Sequence, residues 1–218
     1  MQQLIPHTIS GNTFLLSADR CIFWHENKML ILSDLHLGKT GHFRKAGIGV
    51  PQAVFKEDMQ RLFTLLQIFK PREIIIIGDM FHSYANKEHD FFLKWRKDFS
   101  DVPVNLVKGN HDILKENWYR EADITISDKQ LVIGDFLFTH DVADCDFLTA
   151  HYVFCGHIHP GVSIKGLGKQ SLHFPCFHFG EQYAVLPAFS RFTGTSAIET
   201  KRGGNVFAII ENMLLQIQ

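Results

Sequence analysis

The sequence predicts an α/β fold, and three observations carry the prediction. Glu73-Ile74-Ile75-Ile76-Ile77-Gly78-Asp79 is a run of four isoleucines ending in Gly-Asp, which suits a strand buried on both faces, as in a parallel sheet. Ahead of it, Val54, Phe55, Met59, Leu62, Phe63, Leu66 and Phe69 recur at helical spacing between Pro51 and Pro71. Beyond Pro160 the pattern turns to short strands alone. The 218 residues, 45% hydrophobic and 21% charged, suffice for a sizeable core. With no internal repeat, low-complexity tract or linker, a single domain is expected over residues 1–218.

The elements follow in order. Apolar runs at 13–16, 21–24 and 29–33, broken by Ser17-Ala18-Asp19-Arg20 and Glu26-Asn27, read as an antiparallel meander. Residues 38–49 interleave Gly38, Gly41, Gly47 and Gly49 with Lys39, His42, Arg44 and Lys45. This is the composition of a flexible basic loop, either plainly solvated or clamping a phosphate backbone. Pro51 suits the first turn of the helix that follows. After the isoleucine strand, 86–98 reads as a helix with Phe91, Phe92, Trp95 and Phe99 on one side, and 102–108 as a strand. Residues 113–122 read as a short helix carrying Trp118 and Tyr119, 131–139 as a hairpin turning at Gly134-Asp135, 145–151 as a short helix or turn, and 153–155 as a brief strand. Strands are expected at 162–165, 171–174, 183–186, 195–199 and 206–210, with turns at Gly166-Leu167-Gly168 and Lys201-Arg202-Gly203-Gly204.

One pattern recurs along this order. Strand after strand ends in a side chain able to bind a metal: Asp34 and His36, Gly78-Asp79, Gly109-Asn110-His111-Asp112, His140, and Gly156-His157-Ile158-His159. Active sites of open α/β sheets form at the carboxyl ends of strands, and glycine lets the chain turn sharply into a crowded site. Each piece has a bland alternative: Asp79 as a helix cap, Asn110 as another, His140 as a core histidine, His157 and His159 as a turn. Together they resist that reading. Imidazole, carboxylate and one amide, without thiolate, suit Mn, Fe, Zn or Co. Seven such groups exceed the needs of one ion and suit two, about 3.5–4 Å apart, sharing a carboxylate.

Gly38-Lys39-Thr40 also looks like the end of a phosphate-binding G-x-x-x-x-G-K-[ST] loop. That motif needs glycine at position 33, which is serine, and it would put Asp34 where amides should cradle an anion.

These motifs occur in the order seen in the calcineurin-like metallophosphoesterase superfamily, which the chain resembles over residues 34–159. The resemblance implies a four-layer α/β/β/α sandwich with two central mixed sheets and a dinuclear site at the strand ends. Asp34-Leu35-His36-Leu37-Gly38-Lys39, Phe43-Arg44-Lys45-Ala46-Gly47, Gly78-Asp79-Met80-Phe81-His82-Ser83 and Leu186-Pro187-Ala188-Phe189-x-x-Phe192-Thr193-Gly194 are similar to a bacterial branch, the ligase-associated DNA damage response endonucleases. That likeness extends to about residue 194.

From it follow a phosphodiester hydrolase acting on DNA in repair, two divalent ions with manganese foremost, and a functional link to a DNA ligase and helicase. By position, Asp34, His36, Asp79 and His159 would hold one metal, and Asp79, Asn110, His140 and His157 the other, with a hydroxide between them attacking phosphorus. His111 would act as general acid or stabiliser of the leaving oxygen. Lys39, Arg44, Lys45 and His82 are candidate substrate contacts. His82 stands where many members of the superfamily carry an acidic residue that supports the catalytic histidine. Asp112 and Asp141 are the substitutes nearest in sequence.

Composition bounds the rest. A net charge of −1 shows no strongly basic chain, leaving a local patch or a small nucleotide or lipid substrate open. A non-enzymatic interaction module would be expected to have lost ligands, and none is missing. Cys21, Cys145, Cys155 and Cys176 lack C-x-x-C spacing and read as free core thiols. The late cluster of His173, Phe177, His178 and Phe179 reads as a packed β region or a substrate-facing rim. Met1 to Ser10 lacks the pattern of a signal peptide, and no apolar run nears the ~18 residues of a membrane span. A soluble cytoplasmic protein is therefore expected, with no membrane partner.

Overall fold

The computed structural model describes residues 3–51, 53–82, 87–145, 151–166, 170–198 and 203–218. The first sheet begins with β1 (Leu4–Ile9), β2 (Asn12–Ser17), β3 (Cys21–Trp24) and β4 (Met29–Ser33), an antiparallel meander. Helices α1 (Lys39–Lys45) and α2 (Ala53–Phe69) then lead to β5 (Glu73–Ile77), which pairs parallel to β4. α3 (Lys87–Lys97), β6 (Val104–Val107), α4 (Glu116–Glu121) and β7 (Ile124–Ser127) complete the sheet, its seven strands in sequence order.

The isoleucine run explains the layering. Ile74 and Ile76 face the helices, in a core with Phe55, Leu62, Leu65, Phe92 and Tyr119. Ile75 and Ile77 face the other way, in a second core between the two sheets. Each such side chain, fully buried, stabilises the fold by about 1.5–3 kcal/mol. α2 stops where Lys70 turns to φ 45 ahead of Pro71.

The second sheet contains β8 (Gln130–Ile133), β9 (Phe136–Thr139), β10 (Tyr152–Cys155), β11 (Pro160–Lys165), β12 (Ser171–Phe179), β13 (Tyr183–Val185), β14 (Ser196–Ala197), β15 (Asn205–Ile210) and β16 (Met213–Gln216). Its order is β14-β11-β12-β13-β10-β9-β8, with β15 joined to β12 and β16 to β15. Phe136, Phe138, Phe154, Phe177, Phe179 and Phe207 project from it into the inter-sheet core. Much of the phenylalanine excess, and the late Phe177/Phe179 pair, is therefore core.

Several expectations change. The glycine-rich stretch 38–49 is not a loop throughout, because α1 occupies Lys39–Lys45. The short helix expected over 113–122 narrows to Glu116–Glu121. The strand expected at 171–174 runs on to Phe179, and that at 195–199 shrinks to Ser196–Ala197. β1, β7 and β16 lie where no strand was expected. Among the described residues the only helical element after α4 is the 3-10 turn Val142–Asp144. Most of the stretch expected as a short helix or turn at 145–151 lies outside the described residues, as do Leu167 and Gly168, Lys201 and Arg202, Ser83, and Asn86 at the start of the 86–98 helix. No described helix is long and apolar enough to cross a membrane.

Candidate metal centre

Parallel pairing brings the carboxyl ends of β4, β5 and β6 together, and those of β9 and β10. Backbone hydrogen bonds join these ends into one surface. Asp34 N–H donates to Gly78 O (3.1 Å) and His36 N–H to Asp79 O (2.8 Å). From the other sheet, Gly156 N–H donates to His140 O (3.1 Å). Beyond β13 the chain crosses back, with Phe189 N–H on Ser33 O (2.8 Å) and Ser190 N–H on Asp34 O (3.2 Å).

Two groups of side chains converge there. Asp34, His36 and His159 form one, and Asp79, His140 and His157 the other, the ligand atoms of each within 4.8 Å of one another. His36 Nε2 and His159 Nε2 lie 3.2 Å apart, and His159 Nε2 is 3.3 Å from Asp34 Oδ1. In the second group His140 Nε2 lies 3.1 Å from His157 Nδ1, 3.4 Å from Asp79 Oδ1 and 3.2 Å from Asn110 Oδ1. Asn110 thus adds its amide oxygen. All seven residues read from the sequence as metal ligands meet at one edge.

The backbone is strained to bring them there. Asp34 (φ 53), His36 (47), Asp79 (49), His157 (68) and His159 (49) all occupy the left-handed region, which costs an L-residue about 1–2 kcal/mol. Two strand-end glycines make room for the ligands. A Cβ on Gly109 would lie 2.2 Å from Asp79 Oδ1, and one on Gly156 would lie 1.8 Å from Ser33 Oγ and 2.5 Å from Asp34 Oδ2.

Hydrogen bonds select which atoms stay free. Asp34 Oδ2 accepts from the Ser33 hydroxyl and from His157 N–H (3.2 Å). Asp34 Oδ1 is buried and has no hydrogen-bond partner. An orphaned buried carboxylate oxygen facing two imidazole nitrogens is the environment of a bound cation. His140 Nδ1 lies 3.3 Å from Ile77 O, leaving Nε2 to point inward. The donor set and this orphan oxygen fit divalent metals.

Electrostatics agree. Burial, with the nearby Lys39, His159 and His82, outweighs the pull of Asp79 and drives His36 down to about 2, so its imidazole is neutral, the form able to bind a metal. Burial would depress His140 too, but its hydrogen bond to Asp79 and the charges of Asp34 and Asp79 lift it to about 9. Burial works against ionised Asp79, yet His140, the His111 N–H and His36 together hold it below the usual carboxylate range.

The remaining candidates sit around this core. His111 donates its N–H to Asp79 Oδ1 (2.9 Å), and its Nε2 is 3.9 Å from Asp79 Oδ2. Neither Asp112 nor Asp141 supports it. The Asp112 carboxylate accepts from Phe81 N–H (3.0 Å) and Gly109 N–H (2.9 Å), tying two strand-end loops together. Asp141 caps Ala143 N–H (2.9 Å) and lies 3.7 Å from His157 Nε2. His82 lies with its Nδ1 3.4 Å from His36 Nδ1. Burial, then His111, Lys39 and His42, lower His82 to about 4.

Lys39 Nζ contacts Thr193 Oγ1 (3.2 Å), and its amide donates to His36 O (3.1 Å) rather than standing open to an anion. Arg44 is drawn away: it pairs with buried Glu88 (2.5 Å) and donates to Val50 O (3.2 Å). Lys45 is exposed. His173, at the exposed start of β12, meets Ser163 Oγ (3.0 Å) instead of the metal groups.

Sequence reasoning missed Ser33, which lies inside an apolar run, and the clamp behind it. Arg20 Nη1 donates to the carbonyls of Ala188 (3.1 Å) and Ser190 (2.8 Å). Arg61 donates to Phe189 O, lies 4.1 Å over its ring and pairs with Asp58 (2.9 Å). The similarity of Leu186–Gly194 to a family motif was the only signal for this segment.

Residues 28–175 match the family model described as calcineurin-like phosphoesterase. Among solved structures, the chain is similar to Pseudomonas putida nuclease MPE, at 26% identity and TM-score 0.82, covering 99% of this chain and 100% of that one. A protein of unknown function from Aquifex aeolicus matches at 20% identity and TM-score 0.46, covering 65% of this chain and 82% of that one. No curated protein sequence matches.

Proposed function

The chain belongs to the calcineurin-like phosphoesterase family, and on that premise we propose that it is a metal-dependent phosphodiesterase that cuts DNA. The observation that carries the catalytic part is the pairing of two Asp/His groups at one edge, one with an orphaned carboxylate oxygen. The nucleic-acid part rests on the full-length similarity to a nuclease and on the branch motifs around Lys39 and Thr193. A role in repair alongside a ligase and helicase follows from the same branch resemblance.

Asp34, His36 and His159, with Asp79, would hold one divalent ion; Asp79, Asn110, His140 and His157 would hold the other. Such ions lower the pKa of water and neutralise phosphoryl oxygens, and manganese suits this donor set. The protein's own groups do the rest. Ser33 and the His157 amide occupy one oxygen of Asp34 and leave the other for the ion. Ile77 O fixes the His140 tautomer. His111, half-exposed beside Asp79, gives its proton to the leaving oxygen. Lys39, drawn toward Asp34 and Asp79, meets a non-bridging phosphate oxygen.

Purified protein with Mn²⁺ is expected to cleave an oligodeoxynucleotide, with cleavage falling steeply as salt rises. An Asp79→Asn variant should lose activity; full activity in that variant would sink the mechanism. Salt-independent turnover of a small phosphodiester with no DNA cleavage would favour a small-molecule substrate.

A further inference from the structure

A cavity of about 490 Å³ lies away from the candidate metal ligands. Arg20, Arg191 and Asn212 supply its polar wall, Phe174 and Pro175 much of its apolar wall, and Glu211 a carboxylate. Its position follows from the topology. β2 runs antiparallel to β3, and β3 to β4, so the turn holding Arg20 shares the edge where β4 delivers Asp34. Two strand spacings separate them, about 10 Å. In the other sheet β13 runs parallel to β10, whose end delivers His157, and β12 runs back antiparallel from His178 through Phe174 toward the same edge. Ile209 and the Glu211-Asn212 turn lie there too, after the Cys176–Ala208 pair.

The crossing segment links cavity and metal centre. Its residues Phe189 and Ser190 bond to Ser33 and Asp34, Thr193 bonds to Lys39, and between them Arg191 lines the cavity. The Arg191 side chain is half exposed, and its ion pair with Asp19 is long, at 3.8 Å, so the guanidinium can also reach an incoming anion. In the cavity wall itself two guanidinium groups, Arg20 and Arg191, face one carboxylate, Glu211. Burial, Arg61 and Arg191 together lower Arg20 to about 10. Two guanidinium groups sharing a cavity with Phe174 and Pro175 offer a phosphate its donors and a base an apolar surface.

We propose that this cavity is a remote subsite for the same DNA strand, holding the phosphate and base of a nucleotide that neighbours the scissile one. This rests on the reading of the metal centre as a DNA phosphodiesterase. Arg191 is the residue to remove, because Arg20 also caps two backbone carbonyls whereas, among the described residues, the Arg191 side chain meets Asp19 at 3.8 Å.

Wild type and Arg191→Ala are compared with Mn²⁺ on bis(p-nitrophenyl) phosphate, which is too small to reach the cavity, and on a labelled oligodeoxynucleotide. The variant is expected to lose about tenfold in kcat/KM on the oligonucleotide, mainly through KM, with less than about twofold change on the small diester. Its dependence of log affinity on log salt should flatten by about 0.7. Single neutral methylphosphonates placed near the cut should include one position that costs wild type the same factor and the variant nothing more. Equal losses on both substrates, no loss on either, or fully additive losses at every methylphosphonate position would overturn the subsite. Wild type that hydrolyses the small diester but no DNA overturns the DNA reading, and the subsite with it. Wild type that cuts DNA beside an indifferent variant overturns the subsite alone.

Discussion

The imidazoles of His82 and His111 stack, with ring centroids 4.5 Å apart and 29° between their planes. A neutral ring thus lies beside His111 where many members of the superfamily carry a carboxylate, so the face of His82 orients His111 together with Asp79, 3.9 Å from its Nε2. Truncating the base of the stack should therefore disorder the acid without emptying the metal centre. His82→Ala is expected to lower kcat about tenfold, and His82→Phe, which keeps a flat face, should retain more. His111→Ala should cost about 10²–10³-fold on DNA. It should cost much less on a p-nitrophenyl ester, whose leaving group needs no proton. Steady-state kinetics on both substrates, with metal content measured beside them, decide this; equal losses on the two leaving groups would reject the acid role.

Gly156 and Gly109 should behave as part of the metal centre although neither carries a ligand. A methyl group at 156 would overlap Ser33 and Asp34, and one at 109 would overlap Asp79. All three neighbours are buried, and Asp34 is held by its hydrogen bonds, so the new atoms have nowhere to go. Gly156→Ala and Gly109→Ala are expected to destabilise the protein by about 1–3 kcal/mol and to lower its metal content. Gly11, whose added Cβ would meet nothing within 4 Å, is the control for overlap, although its φ of 75 adds backbone strain. Urea denaturation and metal analysis check this. A normal metal load in Gly156→Ala would show that the loops adjust freely.

The candidate metal ligands could be picked out of the sequence because each follows an apolar run at a strand end, and an apolar run is visible without a structure. The isoleucine strand was legible for the same reason. α1 was not, since Gly38-Lys39-Thr40-Gly41 has poor helix propensity. Thr40 and Arg44 hold it through Glu88, 48 and 44 residues away. β1 was hidden by Pro6 and His7, which interrupt its apolar pattern. Ser33 looked like one more residue of β4, and its role depends on Asp34 and on a glycine in the other sheet. The left-handed backbone at five of these residues leaves no mark in residue types, because aspartate and histidine were already accounted for as candidate ligands.

His140 predicts how the metal-free protein responds to pH. Its folded pKa of about 9 lies above the ordinary 6.5. The sign follows: the stabilisation is fully present below about pH 6.5 and is lost as pH rises through about 9. The loss should be of order 1–3 kcal/mol. Metal needs the bare Nε2, so loading at pH 7 should release about one proton, and apparent affinity should climb with pH toward 9. His36, neutral throughout this range, releases none. Denaturation of chelator-treated protein from pH 6 to 9.5, and calorimetry in buffers of different ionisation enthalpy, test both. Stability that stays flat across this window would mean that the Asp79–His140 pair does not hold the proton.

Lys39 and Arg44 were both candidate substrate contacts, and their surroundings now predict opposite phenotypes. Arg44 meets Glu88, which is 2% exposed, and caps Val50 O. Removing it leaves that carboxylate with Thr40 as its remaining partner in these contacts, so Arg44→Ala should destabilise by up to about 3 kcal/mol and change KM little at a temperature where the variant is folded. Among the described residues the Lys39 side chain bonds Thr193 Oγ1, and its charge lies near Asp34 and Asp79. Lys39→Ala should leave melting nearly unchanged, raise KM for DNA about tenfold and reduce the salt dependence by roughly one phosphate contact. Thermal melts and salt-dependent kinetics on the two variants separate the roles. If Arg44→Ala instead raises KM with an unchanged melt, the Glu88 pair does not hold it away from substrate.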